Sequence, residues 1–184
     1  MADRDALTIQ PGTPADDRTI LRLLDDAMAW LAARGRTGQW GSTPASADPR
    51  RLAQARTWAD SGGLWLAMLA GQPVGALVVG RATDHIPPAD EPELYVNLLV
   101  TDRAYAGLGI GGRLLDHAGE LAGAAGVGLL RVDCYAGDDG ALVRFYERQG
   151  FTPTEPFTVR RPDRDPWPGQ VLARRLDRPT TTAT

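Results

Sequence analysis

The chain contains no lysine. All twenty of its basic residues are arginine, and that absence closes two large function classes. A nucleotide-binding Gly-Lys-Ser/Thr loop needs a lysine ammonium, and Schiff-base or pyridoxal chemistry needs a lysine amine. Cysteine is nearly absent as well: the single Cys134 allows no internal disulfide, which points to a cytoplasmic protein. There are two histidines, His85 in a proline-rich loop and His117 on an expected helix. They share no metal-ligand spacing, so no metal is expected. No apolar run approaches the ~18–20 residues of a membrane span. The charged opening "MADRDALTIQ" lacks the apolar stretch of a signal peptide. A net charge of −3 without a basic stripe gives no footprint for nucleic acid.

What is present is an α/β pattern. At 184 residues the chain is expected to form one domain over residues 1–176, with a disordered tail at 177–184. "LTIQ" reads as a strand. Thr13, Pro14 and Asp16 then open a helix carrying Ile20, Leu23, Leu24, Ala27, Met28 and Leu31 at helical spacing. A second helix starts at Asp48-Pro49 and runs to about Asp60. "LWLAMLA" and "VGALVVG" form a hairpin about the turn "GQP", and "ELYVNLLV" is the strand 93–100. A helix from Gly111 to Gly126, a strand "VGLLRVDCY", a helix "DDGALVRFYERQG" and two strands, "FTPTEPFTV" and "QVLARRL", complete the chain. The order β-α-α-β-β-β-α-β-α-β-β predicts a mixed, mostly antiparallel sheet of six to seven strands flanked by about four helices. The five tryptophans are scattered; burial is expected of each, although Trp40, in "TGQWGS", is also placed to line an acceptor pocket.

The stretch "YAGLGIGGRLL" concentrates glycine. Gly107, Gly109, Gly111 and Gly112 fall within six positions, and each glycine costs roughly 0.5–1 kcal/mol of backbone entropy. A plain flexible turn needs fewer. Gly107, Gly109 and Gly112 also satisfy the dinucleotide G-x-G-x-x-G spacing, with Asp133 placed like a ribose-binding acid. Against that reading, "TDRAYA" separates Val100 from Gly107, where a dinucleotide fold turns almost at once. A third reading is an anion cradle of open amides at a helix start, suited to a diphosphate.

"LLVTDRAYAGLGIGGRLLDHA" followed by "LLRVDCYAGDDGALVRFYERQGF" resembles the GCN5-related N-acetyltransferase superfamily over about residues 73–159. The resemblance implies that fold and implies acetyl-CoA as co-substrate. The loop Ala106, Gly107, Leu108, Gly109, Ile110, Gly111 and Gly112 would hold the pyrophosphate, and the backbone of Leu98, Leu99 and Val100 would pair with the pantetheine arm. Two departures stand out. The family's loop Arg/Gln falls at Ala106, with Arg103 and Arg113 nearby to replace it. The helix-capping Asn of the family is replaced by Asp138 or Asp139 with a one-residue insertion.

Acetyl transfer to an amine needs a neutral amine, a donor for the oxyanion and a proton for the departing thiolate. An amide of the 98–100 strand is implied as the oxyanion donor. Tyr146, in "YERQGF", matches the family tyrosine that protonates the CoA sulfur. Asp133 and Glu93 are both candidates for the base, and Asn97 is a candidate for orienting the acceptor. Cys134 lies on the apolar side of its strand and is read as packing. The acceptor expected is a small amine or a peptide amine. The acids Asp84, Asp90, Glu91 and Glu93 hint that it is cationic. The rival reading is a non-catalytic acyl-CoA sensor, and the resemblance leaves a homodimer open.

Overall fold

A computed structural model describes residues 6–162 and 164–176; the expected tail at 177–184 lies outside the described residues. Seven strands and four α-helices follow the expected order: β1 Thr8–Pro11, α1 Asp17–Ala32, α2 Pro49–Asp60, β2 Leu64–Leu69, β3 Gln72–Gly80, β4 Glu93–Thr101, α3 Ile110–Ala124, β5 Leu129–Tyr135, α4 Ala141–Arg148, β6 Thr152–Arg161 and β7 Arg164–Arg175. The sheet order is β1-β2-β3-β4-β5-β7-β6, with β4 and β5 parallel. The described residues group into two compact units. One holds the chain to Gly80 with Leu98–Leu115; the other holds Arg81–Asn97 and the chain from Asp116 onward.

In the first unit, β1, β2 and β3 are antiparallel neighbours. The start of α1 is fixed locally: the Thr13 amide and hydroxyl both donate to Asp16 Oδ2 at 2.8 Å, and Pro14 opens a 3-10 turn that feeds the helix. Asp48 Oδ1 caps α2 by accepting from the Arg50 amide at 2.9 Å. The apolar stripe of α1 packs with Leu64, Leu66, Ala76, Val78, Leu98 and Val100 in one buried cluster. The β2–β3 turn differs from expectation. It is Ala70-Gly71, both at positive φ (49° and 76°), the geometry of a two-residue primed turn. Alanine, which pays a steric cost in that conformation, hid the signal.

In the second unit, β5 pairs with β7 and β7 with β6. Pro153 and Pro156 flank a register shift in β6, the last strand in the order, where a missing N–H is tolerated. β7 begins six residues before the expected "QVLARRL", at Arg164, and takes in Pro166 and Pro168. Prolines argue against a strand in sequence. Here the Pro168 carbonyl accepts from the Ala136 amide at 2.9 Å, so the strand end is held without a proline donor.

Candidate active site

The glycine segment is seated from below by another glycine. A Cβ on Gly75 of β3 would stand 2.9 Å from Ile110 Cγ2 and 3.1 Å from Leu114 Cδ1. The bare backbone at 75 therefore lets the first turn of α3 press onto the sheet, with Ile110 and Leu114 buried. Above that contact the chain turns twice through the left-handed region, at Gly107 (φ 88°) and Gly109 (φ 72°). Around Gly107 a side chain would meet nothing within 4 Å. Among the described residues no carbonyl accepts from the amides of Gly107, Gly109, Ile110, Gly111 or Gly112; the first helical bond of α3 runs from the Arg113 amide to Gly109 O at 3.1 Å. These open donors lie at the positive end of a 15-residue helix, an arrangement that suits an anion. Ala106, exposed with φ −57° and ψ 142°, adds no charged group. The two nearby arginines have other contacts: Arg113 donates to Leu7 O at 2.9 Å, and the Arg103 guanidinium lies 4.3 Å from the Trp30 ring centroid.

β4 supplies a second set of backbone groups. Its ladder with β5 covers Glu93–Val96 against Leu129–Val132 and ends there, although β4 continues to Thr101 and β5 to Tyr135. Leu98 and Val100 point into the core of the first unit, and Leu99 is half-buried. The main chain at 98–100 has no β5 ladder partner among the described residues, the condition for accepting an added strand.

Tyr146 is built into the end of α4. The Phe151 amide donates to Tyr146 O at 3.1 Å and the Gly150 amide to Glu147 O at 3.0 Å, with Gly150 at φ 83°. This is a Schellman closure. Its usual apolar contact is the Tyr146–Phe151 ring pair, edge-on at 5.7 Å. The "YERQGF" signature is thus a helix stop that fixes a tyrosine. The ring is 5% exposed. Its hydroxyl makes no hydrogen bond among the described residues. Burial first, then Cys134 and Asp133, push the phenol well above its ordinary value, and the group is neutral at any working pH.

The two candidate bases have different surroundings. Glu93 is gripped by Arg131, Nε to Oε2 at 2.5 Å and NH2 to Oε1 at 3.0 Å. Arg131 is 7% exposed, the buried charge of the described residues, and also donates to Pro87 O at 2.8 Å. Both Glu93 oxygens are thus held by the Arg131 guanidinium. Asp133 accepts from the Tyr95 hydroxyl at 2.6 Å through Oδ1; Oδ2 has no partner among the described residues. Tyr95 is 1% exposed, and burial followed by Asp133 pushes its phenol strongly upward, so it stays a donor.

Other expected residues take structural work. Asn97 Nδ2 donates to Arg81 O at 2.8 Å, bracing the β3–β4 connection. Asp139 Oδ1 accepts from the Ala141 amide at 3.0 Å and caps α4, while Asp138 turns through φ 56°. Trp40 is half-buried against the core of the first unit. Burial, then Asp133, pushes the Cys134 thiol up to about 12, which leaves it inert near neutrality. Among the described residues no three His, Cys, Asp or Glu side chains gather to hold a metal, and no helix is long and apolar enough to cross a membrane.

The profile of the acetyltransferase (GNAT) family matches residues 23–151. The chain belongs to the GNAT acetyltransferase family. Solved structures agree with the fold. A Salmonella typhimurium protein with acetyl-CoA as its cofactor is 19% identical, with 97% of this chain and 99% of that one covered at a TM-score of 0.65. The ribosomal-protein-alanine N-acetyltransferase of Brucella melitensis is 21% identical (92% and 99% covered, TM-score 0.66). An N-acetyltransferase of Staphylococcus aureus is 18% identical (93% and 99%, TM-score 0.68). No curated protein matches the chain. Sequence reasoning missed the Arg131–Glu93 pair and the Tyr95 contact to Asp133. Strand alternation placed Arg131 and Asp133 on one face of β5, but their partners lie 38 positions away.

Proposed function

We propose that the protein is an acetyl-CoA-dependent N-acetyltransferase, one catalytic domain over residues 1–176 acting in the cytoplasm on an amine of a small molecule or peptide. The observation that carries this reading is the set of open amides at Gly107, Gly109, Ile110, Gly111 and Gly112 in a chain of the GNAT family. A cradle of bare backbone at a helix start fits a diphosphate. The unladdered main chain at Leu98, Leu99 and Val100 would hold the pantetheine arm. Acetyl-CoA, when bound, supplies an activated acyl group on a thioester.

The chain's own residues then have defined tasks. An alkylammonium must lose a proton before it attacks; with a pKa near 10 only about one part in a thousand is neutral at pH 7. Asp133 Oδ2 takes that proton. Tyr146 presents its phenol hydrogen to the sulfur as the C–S bond breaks and the N–C bond forms. The second nitrogen proton returns to the phenol or passes to water, so the products are an amide, free CoA thiol and one proton. Glu93 remains with Arg131, and no metal enters the scheme. Pairing as a homodimer belongs to the reading on resemblance alone.

Ala106 favours one other reading, a non-catalytic acyl-CoA sensor, because it removes a charge-assisted hydrogen bond worth about 1.5–3 kcal/mol. The two separate in one experiment. The protein is titrated with acetyl-CoA by calorimetry, and thiol release is then followed across a panel of amines and peptides. The enzyme reading predicts saturable binding and amine-dependent release. Saturable binding with no release on any acceptor favours the sensor.

A further inference from the structure

Four rings that no step above uses lie in a row in the second unit. His85 is 5.7 Å from Phe157, Phe157 is 5.9 Å from Trp167, and Trp167 is 5.6 Å from Tyr135, centroid to centroid. The register explains the row. Tyr135 stands opposite Gly169 on β7, and Gly169 opposite Phe157 on β6, so three strands present one cross-strand line. The middle position carries no side chain, and the space is taken: a Cβ on Gly169 would fall 2.3 Å from the Phe157 ring. Gly137 does the same for Tyr135, whose ring would lie 2.2–2.8 Å from a Cβ there. Two glycines therefore let two rings lie down where side chains would otherwise stand.

The row differs from core packing. Phe157, Trp167 and Tyr135 are each half-buried and His85 is exposed. Asp133 shares the face of Tyr135 two residues along β5. Its opposite on β7, Val171, is buried in the cluster that contacts Phe157. The carboxylate thus borders the rings, with Oδ2 open. Arg131 is paired with Glu93 and Pro87 O, and the Arg161 guanidinium is directed to Asp165 O at 2.9 Å. A half-exposed π surface beside an unneutralised carboxylate is matched by a ligand with a flat ring and a cationic nitrogen.

We propose that this strip and Asp133 form the acceptor subsite, and that the acceptor is a primary amine joined by a short alkyl link to an aromatic ring. The ring stacks along Trp167 and Phe157 while the ammonium meets Asp133 Oδ2, the atom that later takes its proton. The inference rests on the acetyltransferase reading and goes beyond it in naming the acceptor class.

The test compares 2-phenylethylamine with 2-cyclohexylethylamine, equal in charge and near-equal in size, and with 3-phenylpropionate as the anionic control. Acetylated product is measured by mass spectrometry, and binding by calorimetry in the presence of CoA. The expected result is at least a ten-fold higher kcat/KM for phenylethylamine than for the cyclohexyl amine, and no binding of the propionate. Trp167→Leu should collapse that ratio toward one. His85→Leu, at the exposed end of the row where folding is not at stake, should reduce it by a smaller factor. Equal rates for the two amines, a ratio unmoved by both variants, or preferential binding of the anion would overturn the subsite while leaving acetyl transfer intact. Acetyl-CoA binding with no amine acetylated would overturn the enzyme reading and the subsite together.

Discussion

Tyr146→Phe lowers kcat by about 10²–10³-fold, the usual worth of a positioned proton donor, and leaves the acetyl-CoA dissociation constant within about two-fold of wild type, since ground-state binding does not use the hydroxyl. The structure makes this variant unusually clean. The phenol oxygen has no hydrogen-bond partner among the described residues, so its removal orphans nothing, and the ring keeps its edge-on contacts with Phe145 at 5.1 Å and Phe151 at 5.7 Å. Thermal stability should therefore hardly move. Burial disfavours a free phenolate at Tyr146, which suits the proposed step in which the phenol hydrogen passes to sulfur as the second nitrogen proton returns to the phenol. Steady-state rates together with calorimetric titration decide the matter. Equal losses in turnover and in affinity, or no loss at all, would remove Tyr146 from the chemistry.

Glu93→Leu is expected to destabilise the second unit strongly. It leaves the Arg131 guanidinium without its carboxylate in a site where the arginine is 7% exposed. Breaking a buried pair from one side costs about 3–5 kcal/mol. For a chain of this length, about 2–4 °C of Tm per kcal/mol makes that a fall of roughly 6–20 °C. Arg131→Met added to Glu93→Leu should recover most of the loss, because an apolar pair of similar volume avoids the desolvation of both charges. The recovery stays incomplete by about 1 kcal/mol, since Pro87 O loses its donor. Melting curves of the two variants measure the pair. They also separate its structural role from catalysis: below the transition temperature Glu93→Leu should keep a kcat close to wild type. A well-folded Glu93→Leu protein without activity would instead return Glu93 to the role of base.

The parts of the molecule that sequence reveals are those encoded by neighbours along the chain. The glycine loop, the α1 stripe, the Asp48 start of α2 and the end of α4 at Gly150 are each written within a few residues, and all four are found where expected. What was hidden depends on register. Arg131 meets Glu93 only because β5 runs parallel to β4 with Glu93 opposite Leu129. The aromatic row exists because Gly169 falls between Tyr135 and Phe157 across three strands, and Pro166 and Pro168 hid the first half of β7, while β6 was legible in spite of its prolines. Burial, the ordinary expectation for a tryptophan, holds only in part here: Trp30, Trp40, Trp58, Trp65 and Trp167 are each half-buried.

The central claim is that the bare amides of Gly107 and of Gly109 to Gly112 grip the diphosphate of acetyl-CoA. Calorimetric titration of the wild type beside Gly107→Asp tests it most directly. A side chain at 107 has open space, and aspartate is among the residues that tolerate positive φ, so the variant should fold while setting a negative charge in the cradle. We expect saturable binding to the wild type and a loss of affinity of at least about thirty-fold in Gly107→Asp, with the two Tm values within a few degrees. A wild type that gives no binding heat with millimolar acetyl-CoA, or a variant that binds as tightly as the parent, would contradict it.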